Sequence, residues 1–165
     1  MPSELSFAGL QLAIADYTQP GLIVPQLRAT DPAGAIEELT HRLGQCEAIG
    51  DVLSFYHAAI NQEFLTNSAL PGGIAIPHAR SHQVRHLTFA VGRTAGPVIW
   101  KARGARAVEL VFLLAVPSTA ARDYLILLSA IVGLSRHPQF LARLRAADNA
   151  PEIYGLLQEI SLIPA

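Results

Sequence analysis

The segment from Val108 to Val116 limits the folds open to this chain more than any other segment does. It is apolar at every position except Glu109, and Pro117 ends it. A short run of this kind is typical of a strand that is buried on both faces of a sheet. Such a strand needs helices above and below it, so the sequence predicts an α/β fold with helices on both faces.

Helical and extended segments alternate on either side of that strand. Asp31 followed by Pro32 predicts the start of one helix, with aspartate as its cap. We expect Gly50 to end this helix and Asp51 to cap a second one, whose apolar side is formed by Val52, Phe55, Ala59 and Phe64. Further helices are predicted over residues 119–135, 139–147 and 149–160, and short strands over 22–24, 74–76, 87–91 and 98–100.

The later strands are joined by connections too short to hold crossover helices. A loop at Gly96-Pro97 separates the segments 87–91 and 98–100, and only a few residues lead on to Val108. Antiparallel pairs are therefore required. The predicted fold is a single mixed parallel/antiparallel sheet with helices on both faces. The helix over 119–135 is apolar nearly all round, so we expect it to be buried.

Size and charge exclude several classes of protein. A chain of 165 residues suits one domain, which we assign to 1–165 with residues 1–15 as an N-terminal lead-in. The net charge of -1 argues against a nucleic-acid binder. No apolar run approaches the roughly 20 residues that span a bilayer. The single cysteine, Cys46, excludes an intrachain disulfide and is expected to be a buried, inert thiol. We therefore expect a cytoplasmic protein without membrane insertion.

The stretch from Gly72 to Arg80 carries the chemistry. Gly72-Gly73 allows a sharp turn, an apolar strand follows, and Pro77 stops it. His78 is thus expected just past a strand end, with Arg80 two residues on. A neutral imidazole has a free nitrogen lone pair at pH 7, and backbone N–H groups after a glycine turn can bind phosphate oxygens. This pattern indicates a histidine that faces an anion.

A metal site is an alternative interpretation of the same region. His78, His82 and His86 are spaced four apart, which would place them on one face of a helix, and zinc accepts histidines at such a spacing. However, Ile74–Ile76 is strand-like, and no carboxylate or cysteine lies between the histidines. A solvated basic loop is the simpler interpretation of His82 and His86, and we predict no metal.

The residues from Gly73 to Arg80 resemble the phosphorylation-site motif of the enzyme IIA domain of the bacterial sugar phosphotransferase system. The resemblance is to the type-2 (fructose/mannitol) class, which includes the nitrogen-regulatory IIA proteins, and it extends over roughly residues 16–160. It implies that His78 accepts a phosphoryl group from a histidine-containing phosphocarrier protein. The group then passes to a IIB domain or serves as a regulatory signal. The resemblance implies no cofactor. Because no IIB or IIC segment is attached, we expect a regulatory IIA rather than a dedicated sugar carrier.

Three features around His78 depart from the family's pattern, and one of them is the approach to the motif, which reads Asn67-Ser68-Ala69-Leu70-Pro71 where the family is rich in Ser, Thr and Gly. Tyr124 stands where the family usually has a second histidine, and Gln62 where it has an arginine. The residues that we assign to phosphate stabilisation are Arg80, Tyr124, Ser68 and Gly73. Two hypotheses follow from these departures. Either the domain is a working phosphocarrier, or it is a degenerate IIA-like module that binds a kinase or transporter without turning over phosphate.

Overall fold

A long central strand organises the computed structural model, which describes residues 13–102, 104–119 and 121–162. This strand, β6 (Gly104–Pro117), pairs antiparallel with β5 (Thr88–Ala102) and parallel with β3 (Ile74–Ala75) and β4 (His78–Ser81). Strand β1 (Ile23–Leu27) lies parallel to β5 at one edge, and β2 (Ala69–Leu70) lies antiparallel to β3 at the other. The central place predicted for the apolar run is confirmed.

Five α-helices accompany the sheet within those ranges. They are α1 (Pro32–Gln45), α2 (Val52–Thr66), α3 (Ala121–Gly133), α4 (Pro138–Ala146) and α5 (Ala150–Leu157). Three of them begin at a side-chain cap that accepts a backbone N–H: Asp31 for α1, Asp51 for α2 and Asn149 for α5. These caps satisfy donors that a helix start leaves without a partner.

Side chains of β6 alternate between two apolar clusters, one on each face of the sheet. Phe112 lies in the cluster that contains Ile131 of α3, whereas Leu113 lies in the cluster that contains Leu39 of α1 and Phe55 of α2. All five side chains are fully buried. This alternation is the period-2 pattern of a strand, and it confirms the predicted mixed sheet with helices on both faces.

Two of the predicted strand limits are wrong. Pro25 was expected to end the first strand, but it lies inside β1, whose position at the sheet edge tolerates a residue without an N–H. The loop expected at Gly96-Pro97 is also absent, since β5 runs through it. The register against β6 shifts between Arg93 and Val98, so a bulge absorbs the proline.

The end of the first helix also differs from the prediction. Helix α1 ends before Gly50, and Glu47 follows it with a φ of 59°. Glu47 thus takes the left-handed conformation that glycine usually supplies after a helix. Cys46 is the C-terminal cap of α1 and is half-buried, so the expected full burial of its thiol is wrong.

Some apolar side chains expected inside are exposed. Phe64 of α2 is 89% exposed, and Leu125 and Ile126 of α3 are 59% and 42% exposed. Helix α3 packs against the sheet with one side only, so the expectation that it is buried all round is wrong. No single helix in the described part of the chain has the length and composition to cross a membrane. Only the bent pair Arg122–Arg136 and Pro138–Ala146, at 94°, does so when taken together.

The chain segment before β1 belongs to the core. Ile14 and Ala15 are fully buried, and the Ile14 amide donates to the Ile160 carbonyl at 2.9 Å. Ala13 forms a bridge with Ser161. The expected loose lead-in therefore does not hold for residues 13–15, and residues 1–12 of that prediction lie outside the described residues.

Candidate functional site

His78 is the first residue of β4. It was expected just past a strand end, but the strand resumes after Pro77, and both β3 and β4 pair with β6. The Pro77 carbonyl still accepts the Leu114 amide at 2.9 Å, so only the proline's missing N–H interrupts the ladder. The imidazole is therefore mounted on the sheet itself.

The register of β4 places the two basic side chains of the motif on one face. His78 lies opposite Leu114 and Arg80 opposite Val116. Ala79, between them, is buried in the cluster on the other face, with α1 and α2. Because strand side chains alternate, His78 and Arg80 project together toward the face that carries α3. The spacing of two residues in the sequence is what brings them together.

A small cavity of about 180 Å³ lies at this place. We call it the His78 cavity, and its lining residues are Gln62, His78, Arg80, Val116 and Tyr124. Strand β4 contributes the imidazole and the guanidinium, while α2, β6 and α3 contribute the other three. His78 and Tyr124 are half-buried and Arg80 is exposed, so the cavity opens to the surface.

Tyr124 lies beside both basic groups. The rings of His78 and Tyr124 are 5.6 Å apart between centroids, with their planes tilted by 42°. The Arg80 guanidinium carbon lies 6.0 Å from the centre of the Tyr124 ring, at the limit of a cation–π contact. Burial raises the pKa of Tyr124 above its ordinary value, although Arg80 opposes this shift. The phenol therefore stays protonated at neutral pH and remains a hydrogen-bond donor.

The two ring nitrogens of His78 have different surroundings. Nδ1 lies 3.3 Å from the carbonyl oxygen of Ile76. A proton on Nδ1 can be donated to that oxygen, and this contact favours the tautomer that leaves the Nε2 lone pair free. In that tautomer, Nε2 is the ring nitrogen that carries the free lone pair.

The other two residues assigned to phosphate stabilisation do not line the cavity. The Ser68 hydroxyl donates to Glu63 Oε1 at 2.5 Å. Gly73 precedes Ile74, whose partner on β6 is Leu110, four residues from the partner of His78. At the rise of a strand, this separation is roughly 13 Å or more. The φ of 81° at Gly73 serves the turn before β3, where its carbonyl accepts two amides of β6.

The structure does not support the helical face on which the metal alternative depended. Residues 78–81 form a strand, and His82 Nδ1 lies 3.2 Å from the Ser118 hydroxyl. His86 lines a separate cavity with Tyr17 and Asp123. Within the described ranges, no three His, Cys, Asp or Glu side chains are placed to hold one metal ion.

Sequence reasoning missed two contributors to this region. Val116 lines the cavity because it is paired with Arg80, and only the register reveals that. Glu63 accepts three hydrogen bonds, one of them from the Trp100 indole at 2.9 Å. The sequence did hold a signal for Glu63, because the N–H of a buried tryptophan such as Trp100 usually needs an acceptor.

Comparison with known proteins identifies the family. Residues 16–160 match the model of the phosphoenolpyruvate-dependent sugar phosphotransferase system, EIIA 2. The chain therefore belongs to this family, and the resemblance seen in the sequence is confirmed.

Curated relatives fall into two groups. Over 146 residues the chain is 27% identical to a nitrogen regulatory protein of Bradyrhizobium diazoefficiens, covering 88% of this chain and 95% of that protein. Over 152 residues it is 31% identical to the 2-O-α-mannosyl-D-glycerate-specific EIIABC component of Escherichia coli. That match covers 91% of this chain and 23% of the much longer relative. The family thus contains both free-standing and composite proteins.

Solved structures share the same architecture. Nitrogen regulatory protein IIA-Ntr from Neisseria meningitidis superposes with a TM-score of 0.80 at 26% identity, covering 87% of this chain and 98% of the other. IIA mannitol from Escherichia coli superposes with a TM-score of 0.73 at 17% identity, covering 84% and 97%. The second likeness concerns the fold alone.

Proposed function

We propose that this chain is a phosphocarrier whose His78 accepts a phosphoryl group on Nε2. The single observation that carries the proposal is the His78 cavity, where a free imidazole nitrogen, a guanidinium and a neutral phenol meet. The lone pair of Nε2 forms a bond to phosphorus as the phosphorus–nitrogen bond of a donor phosphohistidine breaks. The electron pair of that bond returns to the donor's imidazole, and the Nδ1 proton of His78 stays on its ring.

The side chains around His78 suit the charge of the transferred group. Arg80 supplies a permanent cation within the same cavity, and Tyr124 supplies an O–H donor. Preorganised donors of this kind stabilise phosphoryl transfer mainly by position and charge. The family's second histidine and loop arginine are replaced by Tyr124 and Gln62, so in this proposal Arg80 takes the larger share of the electrostatic role.

The partners follow from the family and are part of the proposal. The donor is a histidine-containing phosphocarrier protein. A solved complex joins enzyme IIA mannitol to phosphorylated enzyme IIB mannitol from Escherichia coli, which supports a IIB domain as one acceptor. The likeness to nitrogen regulatory proteins supports a regulatory role, in which a kinase or transporter responds to the phosphorylation of His78. A cytoplasmic location also belongs to this proposal.

A labelling experiment tests the phosphoacceptor. The protein is incubated with phosphoenolpyruvate, enzyme I and the histidine-containing phosphocarrier protein, and intact mass and acid lability are measured. We expect one acid-labile phosphoryl group in wild type and in His82→Ala, and none in His78→Ala. His82 is a matched control because it is an exposed histidine just beyond β4. Equal labelling of His78→Ala and wild type would refute the assignment.

A non-phosphorylating binding module is the second candidate. Gln62 favours it, because a neutral amide lines the cavity where the family has a cation, and that amide donates to Thr66 Oγ1 at 3.3 Å. This alternative predicts no labelling of the wild type and equal binding of a regulatory partner by wild type and His78→Ala. Loss of that binding in His78→Ala, or its change on phosphorylation, would exclude it.

A further inference from the structure

Glu63 follows Gln62 on α2 and is the centre of a hydrogen-bond cluster, and it lines a different cavity together with Trp100. Its Oε2 accepts the Ser68 amide at 2.8 Å and the Trp100 indole at 2.9 Å, and its Oε1 accepts the Ser68 hydroxyl at 2.5 Å. Glu63 is half-buried and Trp100 is 1% exposed. One carboxylate therefore joins α2, the segment before β2 and strand β5.

The cluster continues through the backbone to the reactive histidine. The Ser68 carbonyl accepts the Ile76 amide at 3.1 Å, and the Ile76 carbonyl lies 3.3 Å from His78 Nδ1. Ile76 is 3% exposed, so little water competes for its backbone groups. Separate hydrogen bonds, joined through the backbones of Ser68 and Ile76, thus link Trp100 and Glu63 to the imidazole.

We infer that Glu63 is a positioning residue for His78. The inference rests on the proposed function, since it concerns the nitrogen that would be phosphorylated. By fixing Ser68, Glu63 holds the backbone of Ile76 in place through the Ile76 amide, and the Ile76 carbonyl in turn holds the proton on Nδ1. The Nε2 lone pair then stays available and aimed into the cavity. Gln62, the neighbouring residue on α2, lines the cavity itself, so one turn of helix both lines the site and orients its nucleophile.

The structure distinguishes this role from simple support of the fold. Trp100 and Ser68 are bound by the same carboxylate, but only Ser68 leads on to His78. Trp100→Phe removes the hydrogen bond from the indole and leaves the bonds between Glu63 and Ser68 intact. Glu63→Met keeps the length of the side chain but removes the bonds to both Trp100 and Ser68. If Glu63 only supported the fold, the two variants would have the same His78 tautomer and the same phosphorylation rate.

The experiment measures the tautomer of His78 in the unphosphorylated protein by ¹⁵N NMR of the imidazole at neutral pH. We expect Glu63→Met to raise the fraction of rings protonated on Nε2. We also expect it to slow phosphorylation about five-fold, the change that a typical net hydrogen bond of about 1 kcal/mol supplies. Trp100→Phe should retain the wild-type tautomer and rate. Glu63→Gln should be close to wild type, because the Ser68 hydroxyl can turn to accept from the amide.

The outcomes separate this inference from the proposed function. A wild-type tautomer and rate in folded Glu63→Met would overturn the inference while leaving phosphorylation of His78 intact. A shifted tautomer in a protein that is never labelled would support the positioning role and refute the phosphocarrier. Should Glu63→Met fail to fold, Ser68→Ala carries the test, since it removes one of the two Ser68–Glu63 bonds. A smaller shift in the same direction supports the inference, and an unchanged tautomer contradicts it.

Discussion

Replacing Arg93 by methionine should destabilise the protein markedly, although Arg93 does not line the His78 cavity. Its Nε donates to the Pro25 carbonyl of β1 at 2.9 Å. Its Nη1 lies 2.5–3.0 Å from the carbonyls of Leu144, Arg145 and Ala147, at the C-terminal end of α4. One guanidinium thus joins β5 to the edge strand β1. It also donates hydrogen bonds to carbonyls at the end of α4, which have no donor within the helix.

The magnitude follows from the number of independent donors. Nη1 has two hydrogens for three acceptors, so the bonds of Arg93 are not additive. Taking Nε and Nη1 as two charge-assisted donors worth about 1.5–3 kcal/mol each gives an upper range of about 3–6 kcal/mol. Arg93 is only half-buried, so water replaces part of this loss, and we expect about 2–4 kcal/mol. For a domain of this size, that is a fall in melting temperature of roughly 4–16 °C.

Urea denaturation followed by circular dichroism measures the change in the free energy of unfolding. Arg106→Met is the matched control, because Arg106 is exposed on the β5–β6 hairpin, and it should stay within about 0.5 kcal/mol of wild type. Arg93→Lys should fall between the two, since an ammonium keeps the charge but lacks the planar fork. Arg93→Met and Arg106→Met variants of equal stability would refute the reasoning.

Two further predictions concern single side chains. Tyr124→Phe should lower the equilibrium level of phosphorylated His78 by about tenfold through loss of one charge-assisted donor, whereas wild type should keep its level from pH 7 to 9 because the pKa of Tyr124 is raised. Titrating the labelled fraction against the donor checks both: unchanged labelling in the variant would contradict the first, and a fall in wild-type labelling between pH 7 and 9 would contradict the second. Asp51→Asn should be less stable than wild type near neutral pH, and the difference should shrink as the pH falls below about 4. The hydrogen bonds from Ser54 lower the pKa of Asp51, so its stabilising effect is present above the pKa of the unfolded chain and is lost as the pH falls through the folded one. Thermal melts across this pH range measure it, and a constant difference would contradict the cap.

Much of the fold could be predicted because its signals are local. The apolar run around Phe112 is typical of a central strand, and Asp31 and Asp51 cap helices through bonds to residues three positions on. Errors in the predicted strand limits arose where a contact with a distant part of the chain determines the local structure. Pro25 is tolerated because β1 lies at an edge, which the neighbouring sequence does not reveal. Phe64 is a different kind of error: it lies nine positions after Phe55, on the opposite side of the helix, so its 89% exposure follows from the helical period.

The site divides in the same way. The sequence motif placed Arg80 beside His78, and the family pattern placed Tyr124 near them, but that His78 and Arg80 share one face of a strand is known only from the register. Ser68 was assigned a phosphate contact, yet its hydroxyl donates to Glu63. A side chain's partner depends on which of several nearby acceptors it meets in three dimensions, and residue type alone does not specify this.

Because the strand resumes after Pro77, the sheet fixes the position of His78, whereas side chains from two helices form part of its surroundings. The imidazole is located by pairing with β6, while Gln62 and Tyr124 reach it from two different helices. Substitutions on either helix can therefore retune reactivity without displacing the reacting atom. Under the proposed function, side chains on the two helices would set the rate of phosphoryl transfer, while β4 alone would fix the position of the accepting nitrogen.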